Sequence, residues 1–409
     1  QIDPIQIFKD KGINTFRIKI WHTPSLNYNN LESVLEIANR ASGVGLDLLL
    51  DFHYSDTWAD PSSQTKPSSW EELNFETLCD SIEQYSHYVI TKLKNQNTLP
   101  KYVQIGNETD CGLLWPDGYV CGESDNDAQW NKLRDLFIHA IEGVNGALDI
   151  DDTLKIISHV SSEGNWFFDN LMVQDINIDI LGISYYPMWH GTLTDLNQNI
   201  DDLSNQFQKP VLVLETAYPF TLQWNDDTHN ILGSETQLLE GYEASEEGQI
   251  LFLHDLISLV EYNDYGLGIC YWAPDWISTN QFGSPWENQA LFDFDGQLLD
   301  AISVFDNSNV SIRRINNYSL SDIFNYPNPF NPITTLRFEL PNKEFVRITI
   351  YDMLGNVVNN LINQYESSGY KSFEWNSTNN KDLPVSAGVY LYSIEAGDFR
   401  QTKKMILLK

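Results

Sequence analysis

Positive charge is scarce in this 409-residue chain: 24 Lys and Arg stand against 57 Asp and Glu, a formal net charge of -33. A field that negative repels nucleic acid and anionic membrane surfaces, so a neutral or cationic partner is expected and nucleic acid is not. Cysteine is rarer still, with four residues, Cys79, Cys111, Cys121 and Cys270, and none sits in a CxxC or Cys/His metal spacing. Only Cys111 and Cys121 are close neighbours, bracketing a Gly- and Pro-containing loop that a disulfide would staple in an oxidising compartment. No apolar run reaches the roughly 18 residues of a transmembrane helix. No leader peptide is visible either, and Gln1 opens abruptly before a helix-like segment, so a fragment or mature form is expected.

The acidic excess is uneven. Residues 306–409 carry eleven Lys and Arg against ten Asp and Glu, whereas the preceding part carries thirteen against forty-seven. At this length two domains are the better prior. Up to residue 305, apolar runs alternate with amphipathic stretches. The strand candidates are NTFRIKIW (14–21), LDLLLDFHY (46–54), YVQIGNE (102–108), LKIISHV (154–160), ILGISYY (180–186), PVLVLE (210–215) and LGICYW (267–272). Near-continuous apolar strands separated by helices predict a parallel sheet covered on both faces. With no Gly-rich phosphate loop after the first strand, this favours a (β/α)8 TIM barrel over an open doubly wound sheet. The count is one short of eight, which is expected if the chain begins after the first barrel strand. Residues 306–321 read as a linker. From 322 to 409 the pattern alternates at period two and predicts a small antiparallel β-sandwich of immunoglobulin-like type.

In such a barrel the chemistry lies at the carboxyl ends of the strands. Reading only those ends selects Arg17, Trp21, His53, Asp56, Trp58, Asn107, Glu108, His159, Tyr185, Tyr186, Glu215 and Trp272. Glu108 and Glu215 each close an otherwise apolar strand. A lone Glu at a strand end is ordinary, but two on separate strands match glycosidic hydrolysis, which needs one protonated and one ionised carboxyl across the scissile bond. Arg17, on reaching Glu215, would favour the ionised form there, and Asn107 would hold a sugar hydroxyl. Trp272 ends the last strand and is expected to stack on a sugar ring. Asp51, His53 and Asp56 raise a metal-site alternative, but no HxH follows an early strand.

The segments GINTFRIKIWHTPS, DFHYSDTWADPSSQTKPSSW, VQIGNETDCGLLWPDG, ILGISYYPMWHGTL, VLVLETAYPF and SPWENQALFDFDG, in this order, resemble the family 53 glycoside hydrolases, endo-β-1,4-galactanases. The resemblance runs through residues 3–305. It implies a retaining endo-hydrolase of the β-1,4-galactan side chains of pectin, with Glu108 as acid/base and Glu215 as nucleophile. It further implies that Arg17, His53, Asn107, Tyr185, Trp272 and Trp58 line the central subsite. A mannanase or xylanase of the same clan, or a non-catalytic surface glycan-binding protein, remains the alternative. No cofactor is implied. Some bacterial relatives hold a structural calcium on an Asp-x-His-x-Asn loop; here WNDDTHNILG offers Asp227 and His229 and displaces the Asn to 230. The tail, with YPNPFNP, VRITIYDMLGNVV, SAGVYLYSIEAG and KKMILLK, resembles the C-terminal sorting domain of type IX secretion substrates in Bacteroidetes-like bacteria. That implies the secretion machinery as a partner and a protein secreted or attached to the cell surface; a monomer is expected. A generic carbohydrate-binding module is the alternative for the tail.

Overall fold

A computed structural model of the protein describes residues 3–161, 164–173, 176–279, 281–306, 324–326, 328–340, 343–367, 369–381, 383–397 and 399–408. The predicted linker at 306–321 lies outside these residues except for Asp306.

The apolar runs form parallel strands. They are β1 (Thr15–Ile20), β2 (Asp47–Phe52), β3 (Tyr102–Ile105), β6 (Lys155–Val160), β7 (Ile180–Ser184), β8 (Val211–Thr216) and β9 (Gly266–Tyr271), hydrogen-bonded in that order. A short hairpin, β4 (Gly112–Leu113) and β5 (Gly118–Tyr119), sits in the loop after β3. The intervening helices are α1 (Pro4–Asp10), α2 (Leu31–Gly43), α3 (Phe75–Asn95), α4 (Asp127–Gly146), α5 (Asn165–Leu171), α6 (Pro187–His190), α7 (Leu193–Phe207) and α8 (Glu246–Tyr262). Their starts are set by local chemistry. Asn30, Asn74, Asn126 and Ser245 each accept from a backbone N–H of the first turn, and Thr192 with Asp195 closes a capping box. Each cap satisfies a donor that the helix cannot, and is worth about 1 kcal/mol.

Helices pack on the outer face of the curled sheet. The core between them holds Leu48, Leu50, Val103, Ile105 and Ile183 from the strands and Leu78, Ile82, Phe137 and Phe252 from the helices. A smaller cluster of Leu49, Ile157, Ile180, Leu212 and Leu214 fills the inside of the curl. Among the described residues β1 and β9 pair with no strand on their outer sides. Between them opens a cavity of about 620 Å³, lined by Arg17, Lys19, Ile269 and Tyr271 among others.

The tail forms two antiparallel sheets, β10 (Phe324–Tyr326), β11 (Thr334–Leu340) and β14 (Gly369–Trp375) against β12 (Glu344–Tyr351), β13 (Val357–Glu366), β15 (Gly388–Ala396) and β16 (Phe399–Leu407). Alternate residues Val346, Ile348 and Ile350 turn inward onto Trp375, Phe338 and Tyr392, as period two requires. An ion pair ties this sandwich to α8. Arg337 Nη1 lies 3.4 Å from Asp255 Oδ2, which also accepts from the Tyr242 hydroxyl at 2.7 Å, and the guanidinium sits 4.6 Å from the Tyr242 ring centroid.

Candidate active site

The carboxyl ends of the strands converge on one arginine. From β1, the buried Arg17 side chain donates through Nη1 to Glu215 Oε1 at 2.8 Å. Through Nη2 it donates to Asp51 Oδ2 at 3.0 Å and Asn107 Oδ1 at 2.7 Å, and through Nε to Gln104 Oε1 at 3.0 Å. One planar fork thus joins β1, β2, β3, β8 and the loop after β3, a geometry that suits guanidinium and no other side chain. Burial would lower the Arg17 pKa, but the charges of Asp51 and Glu215 outweigh it and raise it further. Burial alone would likewise raise Asp51, yet Arg17 and His53 hold its carboxyl below the ordinary range.

Glu215 is the penultimate residue of β8, and its second oxygen, Oε2, accepts from the Tyr186 hydroxyl at 3.2 Å. Burial and the two nearby glutamates push the Tyr186 phenol well above its usual value, so it remains a donor. Glu108 lies in the turn after β3, where Gly106 and Glu108 both take positive φ, +76° and +46°. A left-handed non-glycine residue costs roughly 1–3 kcal/mol. It carries Glu108 out of the strand direction toward the bond from Ser184, whose hydroxyl donates to Oε1 at 2.5 Å. Burial first, and the charge of Glu215 second, raise the Glu108 carboxyl well above the ordinary carboxylate range, while the Ser184 bond opposes them. One carboxyl is therefore biased to hold a proton and the other is matched to a permanent cation, which is how environment splits a pair into different roles.

The aromatic wall is built on Trp272, whose backbone N–H bonds Thr216 at the end of β8. Trp58 and Trp276 meet Trp272 and each other edge-on, with centroids 5.8–5.9 Å apart. Lys19 Nζ sits 4.7, 5.1 and 5.4 Å from the Trp58, Trp272 and Trp276 centroids, and burial pushes its amine down to about 8. Cys111 and Cys121 are joined in a disulfide across the β4–β5 hairpin, beside Glu108.

Two sequence expectations need correction. Tyr185 does not reach the cleft: its ring stacks on Phe252 and its hydroxyl donates to the Gly191 carbonyl at 3.1 Å, so its neighbour Tyr186 is the tyrosine of the site. His53 has no ring nitrogen left for a sugar, because Nε2 bonds Asp51 at 3.1 Å and Nδ1 accepts from the Ala59 N–H at 3.0 Å. Asn107 retains capacity. Its oxygen takes Arg17 and its amide donates to the Ala59 carbonyl at 2.8 Å, leaving one N–H. Asp56 spends its oxygens on Thr23 and Ser68 and forms no site with Asp51 and His53.

Asp227 and His229 are exposed, and His229 packs on Trp224 at 4.8 Å. The carboxylates that organise this loop are Asp226, which accepts from the Thr228 and Ser284 N–H groups, and buried Glu287, which accepts from Asn225 and Asp226. Peptide protons take up Asp226 and one oxygen of Glu287, while Glu287 Oε2, Asn230 Oδ1 and Asn288 Oδ1 are buried with no hydrogen-bond partner among the described residues; the exposed Asp227 and His229 are not among these oxygens.

Gln104, Ser184 and Lys19 were missed by strand-end reading. Their signal was a polar residue among apolar ones within a parallel strand or at its last position, as in YVQI, TFRIKI and ILGIS.

A carboxyl biased toward its acid form and an arginine-held carboxylate, at the open ends of parallel strands and beside a tryptophan wall, define a glycoside hydrolase. Comparison with known proteins makes this specific. Residues 1–305 match the model of glycosyl hydrolase family 53, and the chain belongs to that family. An arabinogalactan endo-β-1,4-galactanase of Cellvibrio japonicus is 34% identical over 308 residues, covering 72% of this chain and 80% of the relative. A Niallia circulans protein described only as lying in the bgaB 5′ region is 41% identical, covering 74% and 86%. The solved family 53 catalytic domain of Ignisphaera aggregans superposes with a TM-score of 0.69 at 36% identity, covering 74% and 88%. Residues 325–408 match the secretion system C-terminal sorting domain, which marks the protein for the type IX route to the cell surface or beyond. No helix among the described residues is long and apolar enough to cross a membrane.

Proposed function

We propose that this protein is a retaining endo-β-1,4-galactanase that cleaves the galactan side chains of pectin. The observation that carries the reading is the split pair, Glu108 biased toward its acid form and Glu215 bound to Arg17 and Tyr186. Relatives that match most of residues 1–305 are arabinogalactan endo-β-1,4-galactanases, which supports the substrate class. In the first step the Glu215 carboxylate attacks the anomeric carbon while Glu108 gives its proton to the departing glycosidic oxygen, so a glycosyl ester forms as the C–O bond breaks. In the second, Glu108 takes a proton from water, whose oxygen displaces Glu215 at the same carbon and leaves the configuration retained. Trp272 supplies a stacking face for the sugar, with Trp58 beside it, and the free N–H of Asn107 binds a ring hydroxyl. Both steps use only the two carboxylates. The protein acts as a monomer, which light scattering tests.

The test is hydrolysis of linear galactan against mannan and xylan, with the anomer of the first product followed by proton NMR. Galactan cleavage with a β-anomer as first product is expected. Preference for mannan or xylan, or an α-anomer, would refute the reading. Glu215→Gln should lower kcat by at least about a thousandfold.

A further inference from the structure

Glu108 and Glu215 are also linked through the barrel floor, by a chain of hydrogen bonds whose direction can be assigned. Arg17 Nε can only donate, so the Gln104 oxygen 3.0 Å away must accept, which fixes the Gln104 amide with its nitrogen toward His159. Gln104 Nε2 is 3.2 Å from His159 Nδ1, and the backbone N–H of Glu108 points at the same nitrogen at 3.3 Å. Gln104 Nε2 also donates to the Gly106 carbonyl at 2.9 Å and lies 3.3 Å from Asn107 Oδ1, so the obligate donor at Nδ1 is the Glu108 N–H, and Nδ1 carries no proton. Asn107 Oδ1, 3.1 Å from it, already has two donors, Arg17 at 2.7 Å and Gln104 at 3.3 Å. The ring proton must then be on Nε2, which lies 3.0 Å from Ser184 Oγ, and the Ser184 hydroxyl is left to donate to Glu108 Oε1. His159 is fully buried, and burial together with the Arg17 charge keeps it neutral.

We propose that the chain Arg17–Gln104–His159–Ser184 acts as a one-way relay that fixes Glu108 Oε1 as a hydrogen-bond acceptor, so that Oε2 is the oxygen that carries and returns the catalytic proton. The proposal rests on the acid/base reading of Glu108. Gln104, His159 and Ser184 are positioning residues in it, since they touch neither the sugar nor the bond that breaks. A donated hydrogen bond favours the carboxylate, so the relay also holds Glu108 below the value that burial and Glu215 would otherwise set. That matters in the second step, where Glu108 must be ionised to take a proton from water. The charged and titratable groups around Glu108 are Glu215 on β8, Asp110 on its own loop, Arg17 on β1, His159 on β6 and Tyr186 after β7. Of these, only Arg17 opposes the upward shift.

The experiment titrates Glu108 by carboxyl 13C NMR in the full chain, with no substrate present, in the parent, Ser184→Ala, Ser184→Thr and Gln104→Met. Losing one hydrogen bond to a carboxylate should raise the Glu108 pKa by about one unit in Ser184→Ala. Ser184→Thr keeps the hydroxyl and should restore it, and Gln104→Met, which does not contact the Glu108 carboxyl, should shift it in the same upward direction. On dinitrophenyl galactobioside, whose departure needs no acid, Ser184→Ala should slow the second step and show a burst, with the acidic limb of its pH profile moved upward because that step needs ionised Glu108. A Glu108 titration unmoved in both Ser184→Ala and Gln104→Met overturns the relay even if galactan is cleaved. Conversely, a parent that leaves galactan intact refutes the functional reading while the NMR shift still tests the relay. If Ser184→Ala fails to fold, Gln104→Met alone decides.

Discussion

Replacing Arg17 by lysine isolates geometry from charge at the centre of the site. Arg17 serves four acceptors, Glu215, Asp51, Asn107 and Gln104, at 2.7 to 3.0 Å. Lysine keeps the charge but places its donors on one tetrahedral nitrogen, which cannot span acceptors on both sides of a planar fork. The ammonium will follow the two carboxylates, and the amides of Asn107 and Gln104 lose a charged donor. A hydrogen bond to a charged group is worth about 1.5–3 kcal/mol. Gln104 and Asn107 each retain other partners, so the net loss at the reacting centre is taken as one such bond. At about 1.4 kcal/mol per factor of ten, that is a roughly ten- to hundredfold fall in kcat/KM. Stability should change less, because both carboxylates keep a counter-charge. Arg17→Met should behave oppositely in emphasis: removing one partner from a buried ion pair costs about 3–5 kcal/mol. Reducing-sugar release from linear galactan measures the first effect, and urea unfolding followed by tryptophan fluorescence measures the second. Wild-type kcat/KM in the lysine variant, or undiminished stability in the methionine variant, would show that the fork does not organise the site.

Other outcomes follow from single contacts. Tyr186→Phe removes the hydroxyl bonded to Glu215 Oε2 and should lower kcat by about ten- to hundredfold, whereas Tyr185→Phe should leave kcat unchanged in the same assay; equal effects would contradict the assignment of Tyr186. Replacing Cys111 and Cys121 together by serine opens a link across ten positions and should cost about 3 kcal/mol by the chain-entropy argument, read by unfolding with and without reductant. EDTA should leave the melting temperature in place, because Asp226 and Glu287 Oε1 hold the 225–230 loop through peptide N–H groups; a fall reversed by calcium would overturn that account and put the cation on the unpartnered Glu287 Oε2 and Asn230 Oδ1.

The position of Glu215 was legible because it closes PVLVLE, a run that can only be a buried strand, and parallel strands deliver their last residues to one rim. Glu108 was legible for the same reason, although the strand itself ends at Ile105 and a left-handed turn completes the delivery. The adjacent tyrosines defeated the same logic. β7 stops at Ser184 and α6 starts at Pro187, so Tyr185 and Tyr186 belong to neither period, and local pattern cannot say which one turns inward.

By itself the sequence determined the parallel sheet, the sandwich, the change of charge between them and the strand ends where chemistry collects. Those features depend on hydrophobic periodicity and turn residues, which act over a few positions along the chain. Only the tertiary structure decided which polar groups meet. Arg17 reaches Glu215 across 198 positions, Gln104 reaches His159 across 55, and Arg337 reaches Asp255 across 82. Such pairings are made by the closing of the sheet and the docking of one domain on another, and burial then turns those contacts into protonation states that no local pattern encodes.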